Sequence, residues 1–463
     1  MAAVEAVPPL GKYPAKEHAR KVAGLVVERG GDAKGVVYLE GQKTRMFEDC
    51  DQAAGFRQRR PFMYMTGCEV PDCYCTYDMA ADKLTLFIPP IDPDDVVWSG
   101  LPLTVEEAVE KYDIDNARLS TEVNAYLTSS DHPQSTVYAL PDRVSDDVTF
   151  LSFAKTDFDL LAGAITTARI TKDAYEISLI RYANAATAAG HAAVMRGAAT
   201  AANEADLEAA FVKECIARQC KKLAYEAIVA GGPHAATLHY VRNDAPLAGK
   251  QLVLVDAGAE FGCYAADVTR TMPVSRQGFS AEAWAVYDVV ERMQAECVAR
   301  TLPGARWEAV HEHAHRVAIE GLLALGILRG GSVADILAAR TSAAFFPHGL
   351  GHYLGMDTHD VGGEADYADP DPMFRYLRVR RELEPGAVIT VEPGVYFCRF
   401  IVEPYLRDEK HKKYIDEAVL ERFWDVGGVR IEDNILITES GNENLTTVPK
   451  GAEEVSNIVK GNA

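Results

Sequence analysis

The chain has 463 residues, 48% of them hydrophobic and 25% charged, which excludes a disordered chain and calls for two folded domains. Its 68 acidic against 47 basic residues give a formal net charge of −21, which would repel a phosphate backbone and excludes nucleic acid as a partner. No apolar run reaches the roughly 18 residues of a membrane span, the first residues lack a basic-then-apolar leader, and nine scattered cysteines do not read as a disulfide framework; a soluble cytoplasmic protein with no membrane partner is expected.

In chain order, a helix is predicted around Lys16–Arg29, followed by strands at 35–41 (GVVYLEG), 62–67 (FMYMTG) and 83–90 (KLTLFIPP). Thr104, with Glu107 three residues on, reads as the capping box of a short helix. These elements compose a smaller mixed α/β domain, residues 1–170. The pattern then changes. Asp173–Arg196 is a long amphipathic helix, Glu204–Arg218 a second, and 223–232 is strand-like. Helices at Ala281–Arg300 and Trp307–Leu328 and strands at 387–396 and 427–438 repeat that plan, so residues 171–463 are expected to form an internally duplicated α/β domain. The charged, helical stretch Phe400–Asp425 is an insertion between its last two strands.

The chemistry concentrates in two kinds of place. Thr341–Asp360 carries His348, His352 and His359 among Gly349, Gly351 and Gly355; the glycines argue against a helix, and H-E-x-x-H is absent. Taken alone, the run reads as hydrogen-bonded histidines of a polar loop. The second signal is four acids at strand positions: Asp256 ends LVLVD, Asp267 lies eleven residues on, Glu392 follows AVITV, and Glu432 sits in VRIEDNILIT. One buried acid is commonly structural, whereas four that converge need cations to neutralise them. Four carboxylates and an imidazole balance two divalent ions, and a donor set rich in oxygen without thiolate suits Mn²⁺, Co²⁺, Mg²⁺ or Zn²⁺. A dinuclear hydrolytic centre that acidifies water and polarises a carbonyl follows.

LHY (238–240), VDAG with DVTRT (255–258, 267–271), PHGLGHYLGMDTHD (347–360), TVEPG (390–394) and VRIED (429–433), taken in order, resemble the pita-bread metallopeptidases of the aminopeptidase P and prolidase branch. The resemblance implies a pita-bread catalytic domain with an internal pseudo-two-fold repeat at 171–463. It makes residues 1–170 a substrate-shaping and oligomerisation domain, and the assembly a homodimer. It assigns Asp256, Asp267, His352, Glu392 and Glu432 as ligands of two divalent ions, with Mn²⁺ the expected metal and Asp267 and Glu432 bridging. His239 and His359 would face the substrate, with His348 in the same wall. Arg430 would orient a ligand carboxylate, and Glu392 would pass a proton from water to the leaving nitrogen. The implied substrates are Xaa-Pro dipeptides or peptides with a penultimate proline, cleaved before the proline. Arg378 resembles the arginine that binds the free carboxylate in eukaryotic prolidases, which keeps a strict Xaa-Pro dipeptidase as the alternative. A surface role for Arg378, Arg380 and Arg381 stays open, and a non-catalytic pita-bread binding module is the remote alternative.

Overall fold

Pro61 and Gly67 decide the first departure from the sequence reading. In the computed structural model, which describes residues 11–129 and 135–462, FMYMTG is not a strand but part of the helix Arg60–Thr66. Pro61 lies in its first turn, where a missing N–H costs nothing, and Gly67 ends it at φ 66°, a left-handed conformation open to glycine. The apolar run reads like a strand because Phe62, Met63, Tyr64 and Met65 are all buried and leave no periodic polar face.

The chain divides between Arg169 and Ile170 into two compact units. The first is built on a six-stranded mixed sheet in the order Asn116–Leu119, Lys83–Ile88, Tyr74–Asp78, Val36–Glu40, Thr136–Tyr138, Lys155–Asp157. One side of its core gathers Val36, Tyr38, Phe87, Leu127 and Val137. The helix Val105–Lys111 begins at the capping box of Thr104 and Glu107.

The second unit uses one plan twice. Helices Ala174–Gly197 and Glu204–Ala217 precede a three-stranded antiparallel sheet with Leu252–Asp256 between Ile228–Gly231 and Thr269–Pro273. Helices Ala281–Val298 and Trp307–Ala324 precede a second, with Asp433–Thr438 between Val388–Val391 and Gly441–Asn444. This is the duplication expected from the element order. The two halves meet at a seam where the edge strand Thr269–Pro273 of the first sheet runs along residues 430–432, which lead into Asp433–Thr438 of the second: Thr271 Oγ1 bonds the backbone of Arg430 in both directions (3.0 and 3.2 Å) and Glu432 N donates to Thr269 O (3.1 Å). The expected insertion is helical, with helices Arg399–Arg407, Glu409–Lys412 and Glu417–Leu420, and forms the long connection between the paired strands Gly394–Tyr396 and Gly428–Arg430.

The helix Trp307–Ala324 turns two fully buried histidines inward, one turn apart. His311 Nε2 donates to Met373 O (2.7 Å), His315 Nδ1 bonds Ser342 Oγ (2.9 Å), and the two rings meet edge to face at 4.7 Å. Burial lowers the pKa of His311 to about 4 and holds His315 well below the ordinary value. Unfolded histidine takes a proton below about pH 6.5 while these two stay neutral, so the stability they contribute is present above that pH and is lost as pH falls toward 4. The urea midpoint should therefore drop between pH 7 and pH 5, with net proton uptake on unfolding. A midpoint independent of pH across that window would contradict two neutral buried histidines.

Candidate metal centre

The seam brings the strand acids together. Asp256 ends the central strand of the first sheet, opposite Thr269, and Asp267 lies two residues before Thr269 in the returning chain. Gly258 permits the close crossing between them, since a Cβ there would lie 1.7 Å from Ala266 O. Glu392 follows the strand Val388–Val391, and Glu432 lies between Gly428–Arg430 and Asp433–Thr438.

His352 arrives on extended backbone that runs alongside that edge, where Thr390 N donates to His352 O (2.9 Å) and Glu392 N to Leu350 O (2.9 Å). Gly351 is required for this approach, because a Cβ there would meet Thr390 O at 1.9 Å. Gly351 thus brings backbone against the sheet, while a Cβ at Gly349 would meet Tyr376 O at 2.7 Å and one at Gly355 the Asp360 carboxylate.

The imidazole of His352 faces Asp267 Oδ2 and Glu392 Oε1, each at 3.3 Å, through Nε2. Its Nδ1 lies 3.0 Å from Tyr353 O, an acceptor, so Nδ1 carries the proton of the neutral ring and Nε2 presents a lone pair. Burial lowers His352 to about pKa 4 and keeps the ring neutral. A lone pair aimed between two carboxylate oxygens is unfavourable unless a cation lies among them. Asp267, His352 and Glu432 place one ligand atom each within 4.8 Å of one another.

Electrostatics give the same answer. Asp267, Glu392 and Glu432 are each pushed well above the usual carboxylate range, first by burial and then by neighbouring carboxylates, with Asp256 acting on all three. These are the conditions a divalent cation relieves, so the residues fit one.

Polar side chains hold this set. Arg430 Nη2 reaches Asp256 Oδ2 (2.6 Å), while its Nη1 donates to Tyr396 OH (2.9 Å) and its Nε to Thr269 Oγ1 (3.0 Å). Thr269 Oγ1 in turn donates to Glu432 Oε2 (2.6 Å). Tyr225 OH lies 2.5 Å from both Asp256 Oδ1 and Asp267 Oδ1, and Asn434 Oδ1 accepts from Asp267 N (3.0 Å).

His348 sits 3.8 Å from Glu392 Oε2, but both its nitrogens are engaged, Nδ1 with Gly349 O (2.8 Å) and Nε2 with Tyr396 OH (2.8 Å). Tyr396 OH thus links it to Arg430, whose Nη1 donates to the same hydroxyl. The rings of His359 and His352 meet edge to face at 4.4 Å. Burial lowers His348 and His359 to about pKa 3, with the Arg430 charge adding to it at His348 and that of Arg378 at His359; His239 is exposed. Arg378 lies near enough that its charge acts on His352 and His359.

Of the residues that hold the set, Tyr225, Thr269 and Tyr396 carry no sequence signal of their role. Asn434, a polar residue beside Asp433 within an apolar strand, is the one that residue type flags.

With this geometry in hand, the comparisons with known proteins agree. The model of metallopeptidase family M24 matches residues 178–439, and that of the aminopeptidase P N-terminal domain matches residues 16–138. A probable Xaa-Pro aminopeptidase of Pyricularia oryzae is 59% identical over 452 residues, 97% of each chain, and one of Pyrenophora teres is 57% identical over 450 residues, again 97% of each. Among solved structures, aminopeptidase PepP of Pseudomonas aeruginosa matches with TM-score 0.82 at 29% identity, over 97% of this chain and 99% of that one. Zinc-substituted aminopeptidase P of Escherichia coli in complex with product matches with TM-score 0.81 at 28% identity, over 98% and 100%. The donor set is therefore that of a divalent-metal enzyme, and the chain belongs to metallopeptidase family M24, as a pita-bread protein of its aminopeptidase P branch.

Proposed function

We propose that the protein is an Xaa-Pro aminopeptidase, a metal-dependent exopeptidase that removes the residue preceding a penultimate proline, from dipeptides as well as longer peptides. The observation that carries this is that Asp267 and Glu392 each meet the free Nε2 of His352 at 3.3 Å, with Glu432 offering a ligand atom within 4.8 Å of those of Asp267 and His352, and Asp256 joined to Asp267 through Tyr225. The four acids and His352 would hold two divalent ions, Mn²⁺ by preference, with Asp267 and Glu432 contributing to both. When bound, the ions neutralise the carboxylates, acidify water and polarise the scissile carbonyl.

The chain's own groups do the rest. Glu392, at the edge of the set and 3.3 Å from Thr390 Oγ1, takes the proton of the attacking water and delivers it to the proline nitrogen, which as a tertiary amide has none of its own. His239 and His359 donate hydrogen bonds to the substrate carbonyl as charge develops on it. Arg430 and Tyr225 fix Asp256 and Asp267 so that little reorganisation accompanies the reaction.

A strict Xaa-Pro dipeptidase is the second reading, and Arg378 favours it. Arg380 is tied to Asp369 (2.7 Å), and Arg381 to Glu364 (3.4 Å) and Glu384. Among the described residues Arg378 has no carboxylate partner and only donates to Tyr367 OH (2.9 Å). That leaves its guanidinium free for the carboxylate of a dipeptide.

Residues 1–170 are proposed to shape the substrate site and join two copies, with 171–463 the catalytic domain. A homodimer is supported by the helix Pro93–Ser99, which has no buried residue and leaves Val97 and Trp98 78% and 85% exposed. A cytoplasmic location is supported by nine cysteines that are all free thiols.

The test is to measure kcat/KM on Xaa-Pro and Xaa-Pro-Yaa with Mn²⁺ added. Both should be cleaved, and replacing proline by alanine in the peptide should abolish turnover. Arg378→Ala should lower dipeptide cleavage by about 10- to 100-fold, the value of a charge-assisted hydrogen bond, and spare tripeptides. Equal losses on both would argue against carboxylate capture, and no divalent-dependent cleavage of either would remove the proposal.

A further inference from the structure

The helix Glu204–Ala217 already has its cap, because the Asn203 side chain accepts from Ala205 N (2.9 Å) and Asp206 completes a capping box. Glu204, its first residue, is therefore not needed at the helix terminus, yet it is fully buried. Its carboxylate turns instead to the segment that follows the strand Ile228–Gly231. Oε1 accepts from Gly231 N (2.8 Å) and His234 Nδ1 (3.1 Å), and Oε2 accepts from Tyr240 OH (2.8 Å) and Ala245 N (2.9 Å). Four donors occupy the acceptor positions of one side chain, and all come from residues 231–245.

That segment has His239 near its middle. Leu238 and Tyr240 on either side pack against the cluster of Ile228, Ala230, Leu254 and Tyr396, while His239 between them is exposed. The Tyr240 ring also stacks on His234 at 4.5 Å, so both aromatic groups that touch Glu204 touch each other. The far end is tied independently. Asn243, buried at φ 49°, replaces a strand neighbour by accepting from Val229 N (2.8 Å) and donating to Ala227 O (2.8 Å).

We infer that Glu204 is the positioning residue for His239, a buried carboxylate that fixes the loop 232–245 so that the exposed imidazole is presented to the substrate in one place. Glu204 touches neither substrate nor metal ligand and acts only through the loop. The inference rests on the reading of His239 as a substrate-facing group.

The test is a double-mutant cycle on the Mn²⁺-loaded enzyme with an Xaa-Pro substrate, comparing Glu204→Gln, His239→Ala and the double variant. The glutamine keeps the size of the side chain, but its NH₂ meets donors where an acceptor stood. E204Q should lower kcat/KM by about ten-fold, as loss of an orienting partner does, and should have almost no effect in the H239A background. Amide exchange in peptides covering 232–245 should quicken in E204Q at unchanged metal content. Equal losses from E204Q with and without His239, or unchanged exchange in that loop, would overturn the inference while leaving His239's role intact. Wild-type turnover by H239A would overturn both. Should E204Q fail to fold, Tyr240→Phe, which deletes one donor hydroxyl, carries the same cycle with the same expected non-additivity.

Discussion

Asp267→Asn should lose activity by more than about 10²-fold, beyond the upper end of what deleting a group that merely orients a ligand costs. Asp267 is the acid with the densest surroundings. Its Oδ2 faces His352 Nε2 at 3.3 Å, its Oδ1 meets Tyr225 OH, and Asn434 holds its backbone N–H. An amide has the shape of the carboxylate without its charge, and it places an NH₂ where a cation should sit. In the metal-free chain the same change removes repulsion among buried acids, so the fold should survive and the apoprotein melt no earlier than wild type. Steady-state kinetics, metal content and a thermal melt are measured together. Retained turnover, or loss of activity that merely tracks unfolding, would remove Asp267 from the ligand set.

The largest effect on stability is expected from Arg270→Leu. Arg270 is fully buried, and its five N–H groups all have acceptors. Nε donates to Pro449 O (2.9 Å), Nη1 to Thr269 O (2.8 Å) and Glu432 O (2.7 Å), and Nη2 to Asp433 Oδ1 (2.7 Å) and Val448 O (2.8 Å). Against the upward push of burial, Arg270 and Lys450 hold the Asp433 carboxyl below its usual range. Leucine would leave four carbonyls without this donor and a buried carboxylate with half its counter-charge, a loss of about 3–5 kcal/mol. Lysine should recover little, since one ammonium cannot reach five diverging acceptors. Urea denaturation of both variants measures this, and an R270L midpoint within error of wild type would refute it. Because Arg270 also bonds the carbonyl of Glu432, R270L should loosen metal binding even where the chain stays folded.

The parts of the site legible from sequence are those where residue type contradicts its surroundings. Asp256, Glu392 and Glu432 stand out because a carboxylate is costly in an apolar strand, and the glycines beside His352 because they forbid a regular element. Tyr225 and Tyr396 stayed hidden, since a tyrosine in an apolar stretch reads as core and only the fold shows which acid its hydroxyl meets. Glu204 was masked differently, as an acid in the first turn of a helix is ordinary for helix electrostatics. FMYMTG reads as a strand because complete burial erases periodicity, leaving Pro61 and Gly67 as the local marks of a helix.

The seam between the two sheets has a mechanical consequence. On the proposed ligand set, Asp256 and Asp267 come from the first repeat and His352, Glu392 and Glu432 from the second, so no repeat can assemble the centre alone. The ions then act as a staple across an internal interface. Occupancy at a hundredfold excess over Kd adds about 2.7 kcal/mol to the docked state. A chelator should then lower the stability of the join between the halves by about that amount while leaving the chain folded.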